Sequence, residues 1–194
     1  MDTNSLELIL ASGSPRRQAF FREMGLSFRV EVVPVAEDFP AGFNGIQIAE
    51  HIVRQKVEPF LAKIQEKQLI ITADTVVWHQ NQSLGKPENA QEAKDMLTAL
   101  SNSTHEVITA VGFLQKGSFE TLCEVSKVTF GTLSEPEIEH YVQTGSPLDK
   151  AGAYGIQDPF GVRHVTRIEG SYSNIIGLPV PQVLKKIQEI TVKN

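Results

Sequence analysis

Apolar residues fill Leu6 to Ala11 with a single polar break, a run of strand length. Ser14 and Pro15 follow as an N-cap and a first-turn proline, which predicts a helix running to about Met24 and ended by Gly25. Phe28 to Val33 reads as a second strand and leads into the loop "PVAEDFPAGFNG". From Ile46 onward, Ala49, Ile52, Val53, Val57, Phe60 and Ile64 recur at helical spacing, with Pro59 placed to kink the helix. Leu69 to Ala73 is again nearly all apolar and stops at Asp74, after which Val76 to Trp78 resume extended character before the turn "HQNQS". The pattern predicts a strand interrupted by an acid.

Asn89 and Glu92 form a capping pair ahead of a helix whose inner face is Ala90, Ala93, Leu97 and Leu100. Val107 to Leu114 and Leu122 to Phe130 predict long strands paired across "QKGSF". Ser134 and Glu137 are a capping box for a helix through Tyr141 and Val142 that Gly145 closes. The stretch "SPLDKAGAYGIQDPFG" is too rich in Gly and Pro for a regular element and too long for a minimal connection, so a functional loop is expected there. Val162 to Ile168 predicts one more strand, "EGSYSNIIGLP" a glycine-punctuated turn, and Val180, Val183, Leu184, Ile187 and Ile190 a closing helix. With helices and strands mixed, no repeat and no low-complexity linker, the expectation is one α/β domain over residues 1–194.

Composition narrows the classes of function. Hydrophobic residues make up 41% of 194, enough for a real core. Eighteen Lys and Arg against 23 Asp and Glu leave a net charge of −5, which argues against a broad nucleic-acid footprint but not against a small anion held by a few cations. Cys123 is the single cysteine, so an intramolecular disulfide and a cysteine-rich zinc site are excluded, and a reducing, cytoplasmic setting is expected. The start "MDTNSLELILASGSPRR" lacks a basic lead and a long apolar core, and no apolar stretch reaches about 18 residues, so a soluble, unexported protein without membrane contact is expected.

Within that frame the arginines of "GSPRR" stand out. A helix N-terminus carries unpaired N–H groups and partial positive charge, which favours acids or bound anions there. Arg16 and Arg17 fit an anion, phosphate above all, with Ser12, Ser14 and loop N–H groups completing a cradle; a solvated arginine pair behind a cap has the same pattern. Lys56 falls on the apolar stripe of its helix, either to meet a ligand or to snorkel to water. Lys86 lies between Gly85 and Pro87, in a loop that lacks the spacing of a P-loop. Asp74, after "LIITA", stands where ligands of open α/β sheets collect, as base or metal ligand, or else caps a turn. Thr75 bonds substrate or merely favours the strand, and Glu37 and Asp38 are metal ligands or solvated loop acids. The five histidines show no metal-ligand spacing, and "GSYSNIIG" is not a nucleophile elbow, so zinc and serine hydrolysis lack support.

Taken together, "LASGSPRR", "ADTVV", "LGKP", "DKAGAYGIQ" and "GSYSNIIGLP", in this order across nearly the whole chain, resemble the Maf family of nucleotide pyrophosphatases. "DKAGAYGIQ" is similar to the subgroup acting on dTTP and UTP rather than to that associated with 7-methyl-GTP. The resemblance implies a two-lobed Maf/ITPase-like α/β fold with a mixed sheet and a central substrate cleft, often as a homodimer. It also implies hydrolysis between the α and β phosphates to a nucleoside monophosphate and pyrophosphate, with Mg²⁺ or Mn²⁺. Residue by residue, it makes Asp74 the general base, itself a metal ligand together with Glu37. It assigns Ser12, Arg16, Arg17, Lys56 and Lys86 to the triphosphate and ties Arg16, Thr75 and Gln157 to substrate preference. Such a substrate carries roughly four negative charges, which a metal and several cations would spread in the transition state. The amide of Gln157 offers both donor and acceptor to a pyrimidine edge.

The chain departs from the family pattern at Asp158-Pro159, where a glycine is usual, adding a charge and removing backbone freedom beside the base; at Thr72, where glycine is common; and at "VAED", which replaces a more acidic loop. The leading expectation is a dTTP/UTP pyrophosphatase that removes non-standard or surplus pyrimidine nucleotides. A nucleotide-binding regulator of cell division and septum formation, without turnover, is the alternative, and a nucleic-acid-binding module is disfavoured by charge and by the lack of interleaved basic and aromatic residues.

Overall fold

A computed structural model describes residues 6–193; the first five residues of the N-terminal stretch read above lie outside it. Seven strands, β1 (Glu7–Leu10), β2 (Phe28–Val30), β3 (Gln68–His79), β4 (Gln82–Leu84), β5 (Thr104–Gln115), β6 (Ser118–Phe130) and β7 (Val165–Glu169), form one mixed sheet in the order β2-β1-β3-β5-β6-β7, with β4 paired to β3. The chain divides into two compact units, and the long strands β3, β5 and β6 each contribute to both.

The first unit holds the described residues up to Asp74, Thr109–Glu124 and the chain from Gly177 on. β1 (Glu7–Leu10) pairs in parallel with β2 (Phe28–Val30), reached through α1 (Pro15–Glu23), and with β3 (Gln68–His79), reached through α2 (Gly45–Val57). Alternation along the strands feeds two cores. Leu8, Leu10, Leu69, Ile71 and Ala73 join Phe21 of α1 and Val183, Ile187 and Ile190 of the closing helix α7 (Val180–Lys193) on one face. Ile9, Ala11 and Ile70 meet Val57 and Phe60 on the other. Both faces are covered, which is why these strands read as continuous apolar runs rather than as alternating ones.

Helix starts follow their caps. Ser14 Oγ accepts from Arg17 N at 3.5 Å at the head of α1, and Gly25 leaves the helix with φ +67°. α2 begins one residue before the expected Ile46, in a capping box where Asn44 Oδ1 accepts from Gln47 N and Gln47 Oε1 from Asn44 N. Pro59 does not kink a continuing helix: α2 stops at Val57, and Glu58–Phe60 tighten into a 3₁₀ turn. Asp74 does not interrupt its strand either, since β3 runs unbroken from Gln68 to His79.

The second unit comprises Thr75–Ile108 and Val125–Ile176. β4 (Gln82–Leu84) turns back on β3, and α3 (Ala90–Leu100) packs on α4 (Glu135–Gln143), each opened by the expected cap. Asn89 accepts from Glu92 N as expected, but Glu92 returns its bond to Glu88 N, one residue earlier than in a capping box. β5 (Thr104–Gln115) and β6 (Ser118–Phe130) are joined by Lys116-Gly117, and β7 (Val165–Glu169) runs antiparallel to β6.

Two stretches expected to be irregular are partly ordered, and one expected strand is shortened. "SPLDKAGAYGIQDPFG" holds two 3₁₀ turns, Ser146–Asp149 and Ala151–Ala153, and ends in the short helix α5 (Pro159–His164). α5 takes Val162, so the strand expected from there begins only at Val165. The expected turn "EGSYSNIIGLP" contains α6 (Tyr172–Ile176), pinned by Asn174 Nδ2, which donates to Val107 O and Ser126 Oγ at 3.0 and 2.9 Å.

Candidate functional site

Ile70, Thr72 and Asp74, alternate residues of β3, face α2: Ile70 packs on Val57, Thr72 Oγ1 donates to Val53 O at 3.2 Å, and Asp74 meets Lys56. Lys56 is 15% exposed and its stem follows the buried stripe of α2 toward the strand, so it does not snorkel. Its Nζ stands 2.7 Å from Asp74 Oδ1, 2.9 Å from Glu37 Oε1 and 3.5 Å from Ala73 O, three acceptors for three ammonium protons. Asp74 is 13% exposed and Glu37 56%, so one carboxylate is fixed in the fold and the other reaches in from a loop. That loop is tied to the same helix one residue earlier, where Gln55 Nε2 donates to Asp38 O and Oδ1 at 3.1 and 2.7 Å.

In the same unit the turn from β1 into α1 separates the two arginines. Arg17 is fastened: Nε donates to Gly177 O at 2.9 Å and Nη1 to Ser12 Oγ at 3.2 Å. Burial pulls the Arg17 guanidinium below its ordinary pKa, the charges of Asp74 and Glu37 oppose that, and Arg16 adds to it. Ser12, itself buried, also accepts from Ser14 N at 3.3 Å, so its hydroxyl closes the turn. Arg16 is exposed. The structure therefore brings Ser12, Arg17, Lys56, Asp74 and Glu37 into one charged cluster, with Arg16 on the exposed side of the helix start.

Thr75, Lys86 and Gln157 belong to the second unit. Thr75 follows Asp74 on an unbroken strand, so its side chain leaves by the opposite face, with Val77. Against Val77 packs Gly152, where a Cβ would lie 3.0 Å from Val77 Cγ1 and whose φ of +69° suits glycine. Gly152 N donates to Gly85 O at 3.0 Å, which joins the "DKAGAYGIQ" segment to the loop of Lys86. Lys86 and Gln157 are both exposed.

Glu37 and Asp74 are the two hard-oxygen donors of the first cluster, a set that suits Mg²⁺ or Mn²⁺ bound through one or two carboxylates, with phosphate and water oxygens filling the shell. Among the described residues no group of three His, Cys, Asp or Glu could hold a metal ion. Buried His105, whose Nε2 pairs with Tyr154 OH at 2.7 Å, belongs to an aromatic core and has its pKa pushed down to about 3, chiefly by burial.

Gly112 carries no signal of its own within an apolar stretch. A Cβ there would meet Val53 Cγ1 at 2.6 Å, Thr72 Oγ1 at 2.7 Å and Phe119 at 2.8 Å, so the glycine makes room for Thr72 under α2. Gly112→Ala is expected to destabilise the fold by about 1–3 kcal/mol, as overpacking does, and to lower turnover by moving Lys56 away from Asp74. Chemical denaturation with a parallel activity assay checks both; a variant with unchanged midpoint and turnover would show that the site tolerates a shifted α2.

The family model for "Maf-like protein" matches residues 7–190. A dTTP/UTP pyrophosphatase of Flavobacterium johnsoniae is 46% identical over 91% of this chain and 91% of its own. Its namesakes in Halalkalibacterium halodurans and Bacteroides fragilis are 42% and 38% identical, each over more than nine-tenths of both chains. Among solved structures, a HAM1 protein from Coxiella burnetii superposes with a TM-score of 0.50 over 95% of this chain and 99% of that one, at 16% identity, a likeness of fold.

Proposed function

The chain belongs to the Maf family, and from that premise we infer that it is a nucleoside triphosphate pyrophosphatase hydrolysing dTTP and UTP to the monophosphate and pyrophosphate. The observation that carries the reading is the Lys56 ammonium set between Asp74 and Glu37, beside the turn of Ser12, Arg16 and Arg17. Asp74, held on a rigid strand, takes a proton from the attacking water as the α–β phosphate bridge breaks. Lys56 orients that carboxylate and exchanges its contact with the exposed Glu37 for a phosphoryl oxygen. Arg17 keeps the turn in shape while Arg16, Ser12 and backbone N–H groups face phosphate, and Lys86 adds a further cation. Asp74 and Glu37 would hold a divalent cation, which when bound neutralises developing phosphate charge. Gln157, and Thr75 on its own face of β3, read the base.

A non-catalytic regulator is not favoured, since the carboxylate and its lysine are in place and the relatives are named as pyrophosphatases. Among the described residues no helix is long and apolar enough to cross a membrane. Burial pushes the Cys123 thiol up to about 11, which keeps it protonated, and a single cysteine fits the reducing, cytoplasmic setting proposed for the chain. The family resemblance supports a homodimer. The purified protein with Mg²⁺ or Mn²⁺, offered a panel of triphosphates, is expected to release pyrophosphate from dTTP and UTP. Release of orthophosphate alone, or no reaction, would overturn this function.

A further inference from the structure

The departure at Asp158 adds a carboxylate next to Gln157, and the structure shows where that charge goes. Residues Gly155 to Asp158 form a tight turn closed by Asp158 N donating to Gly155 O at 3.1 Å. Ile156 points inward and is buried, while Gln157 is exposed at the tip. Both ends of the turn meet at one hydroxyl. Tyr141 OH donates to Asp158 Oδ2 at 2.6 Å and accepts from Gly155 N at 3.2 Å.

The same carboxylate oxygen accepts from Ser146 Oγ at 2.8 Å and has Lys150 Nζ at 3.7 Å. Lys150 donates in turn to Ser146 O at 2.7 Å and Oγ at 3.1 Å. Tyr141 is itself immobilised, its ring stacked on Phe160 with centroids 4.2 Å apart and planes within 6°. Behind the turn Gly161 lies so close that a Cβ on it would stand 2.2 Å from Gly155 O. The charge of Asp158 is thus spent within the second unit, on donors whose shared effect is to fix one four-residue turn. The side chain that turn presents outward is Gln157.

We propose that Tyr141 and Asp158 are positioning residues for substrate choice, clamping both ends of the Gly155–Asp158 turn so that the Gln157 amide meets the nucleobase in a fixed orientation. The proposal rests on the reading above that Gln157 faces the base. A preorganised amide loses little freedom when it forms its bonds and penalises a base edge that cannot match them, whereas a loose turn would adapt to several bases. The clamp's bonds are all made within the second unit, whereas Asp74 and Lys56 belong to the first, so it bears on KM and on discrimination between bases rather than on the rate of bond breaking.

Steady-state pyrophosphate release from dTTP and from GTP tests this on the full chain. Tyr141→Phe keeps the ring stack and removes the hydroxyl; Asp158→Ala removes the acceptor; Asp158→Asn keeps an acceptor oxygen. The first two are expected to raise KM for dTTP and to cut the dTTP-over-GTP ratio of kcat/KM by about tenfold, with kcat for dTTP held within about threefold. Asp158→Asn is expected to keep most of the ratio. In a Gln157→Ala background, Tyr141→Phe should add no further loss of discrimination, because the amide it positions is gone. Equal losses for both nucleotides in step with a lower melting temperature, an unchanged ratio, an Asn variant as impaired as Ala, or additive losses with Gln157→Ala would each overturn the clamp. Failure of the unsubstituted enzyme to release pyrophosphate from dTTP and UTP is read before any variant is made; it overturns the function and the clamp with it, whereas the variant results overturn the clamp alone.

Discussion

Asp74→Asn is expected to lower kcat for dTTP by about 10²–10⁴-fold while leaving KM near its original value. The amide is nearly isosteric with the carboxylate and still offers Lys56 an oxygen at the place where Oδ1 now stands 2.7 Å from Nζ. The site is therefore kept in shape, and what is lost is the ability to take a proton. Because β3 is continuous through position 74 and hydrogen-bonded by its backbone, the folded chain should survive the change. Single-turnover release of pyrophosphate separates the chemical step from binding, and circular dichroism confirms folding. A variant that keeps more than about a tenth of the original kcat would move the general base elsewhere, since loss of a positioned base costs at least 10²-fold in most enzymes.

The residues of this centre were legible in the chain, but their surroundings were less so. Ser14-Pro15 announced α1 because capping is local chemistry, and a lysine on an apolar stripe announced Lys56 because helical period is local geometry. The continuity of β3 was not legible. An aspartate ends an apolar run on paper, yet it leaves the backbone ladder intact, and the charge that makes its burial tolerable comes from Lys56, eighteen residues away. The short helices α5 and α6 escaped for a related reason. They are too brief to show a stripe, and α6 owes its place to Asn174, whose partners Val107 and Ser126 come from other strands. Gly112 looked like one more residue of an apolar strand until Val53 and Thr72 were seen above it. Asp158 reads from the chain only as an added charge, and its partners Tyr141, Ser146 and Lys150 are set by the fold.

The two opening arginines divide by the same logic of partners. One helix start holds both, yet the side chain of Arg17 is consumed in fastening Ser12 to Gly177, and Arg16 is left to solvent. A guanidinium committed to neutral oxygens still carries its charge, so under the proposed function Arg17 would contribute field to the cradle and Arg16 contacts. The alternation of β3 makes a parallel division, sending Asp74 toward α2 and Thr75 toward the face that meets the Gly152 segment. Under the proposed function, neighbours in sequence would thus serve bond breaking and recognition separately.

Lys56→Met carries the second large effect, an expected loss of about 10²–10³-fold in kcat/KM, the scale on which a preorganised charge aimed at a phosphoryl group acts. Methionine fills the apolar stem of the lysine, so packing along α2 is kept and the change falls on the ammonium. Without it Asp74 and Glu37 face each other with no cation between them, and Ala73 O loses its 3.5 Å contact. Stability is expected to fall by about 1–3 kcal/mol, most of it from the enclosed Asp74 and little from the exposed Glu37. Lys56→Arg should recover little activity, because a planar fork cannot direct three donors at three acceptors converging on one point. Adding Glu37→Gln to Lys56→Met should restore part of the stability and none of the turnover, since it relieves repulsion without supplying a cation. Denaturation midpoints and kcat/KM measured on the same preparations distinguish these effects. If Lys56→Met kept half its kcat/KM, the lysine would be a strut for the strand, and the phosphate charge would have to be met from Arg16 and Lys86.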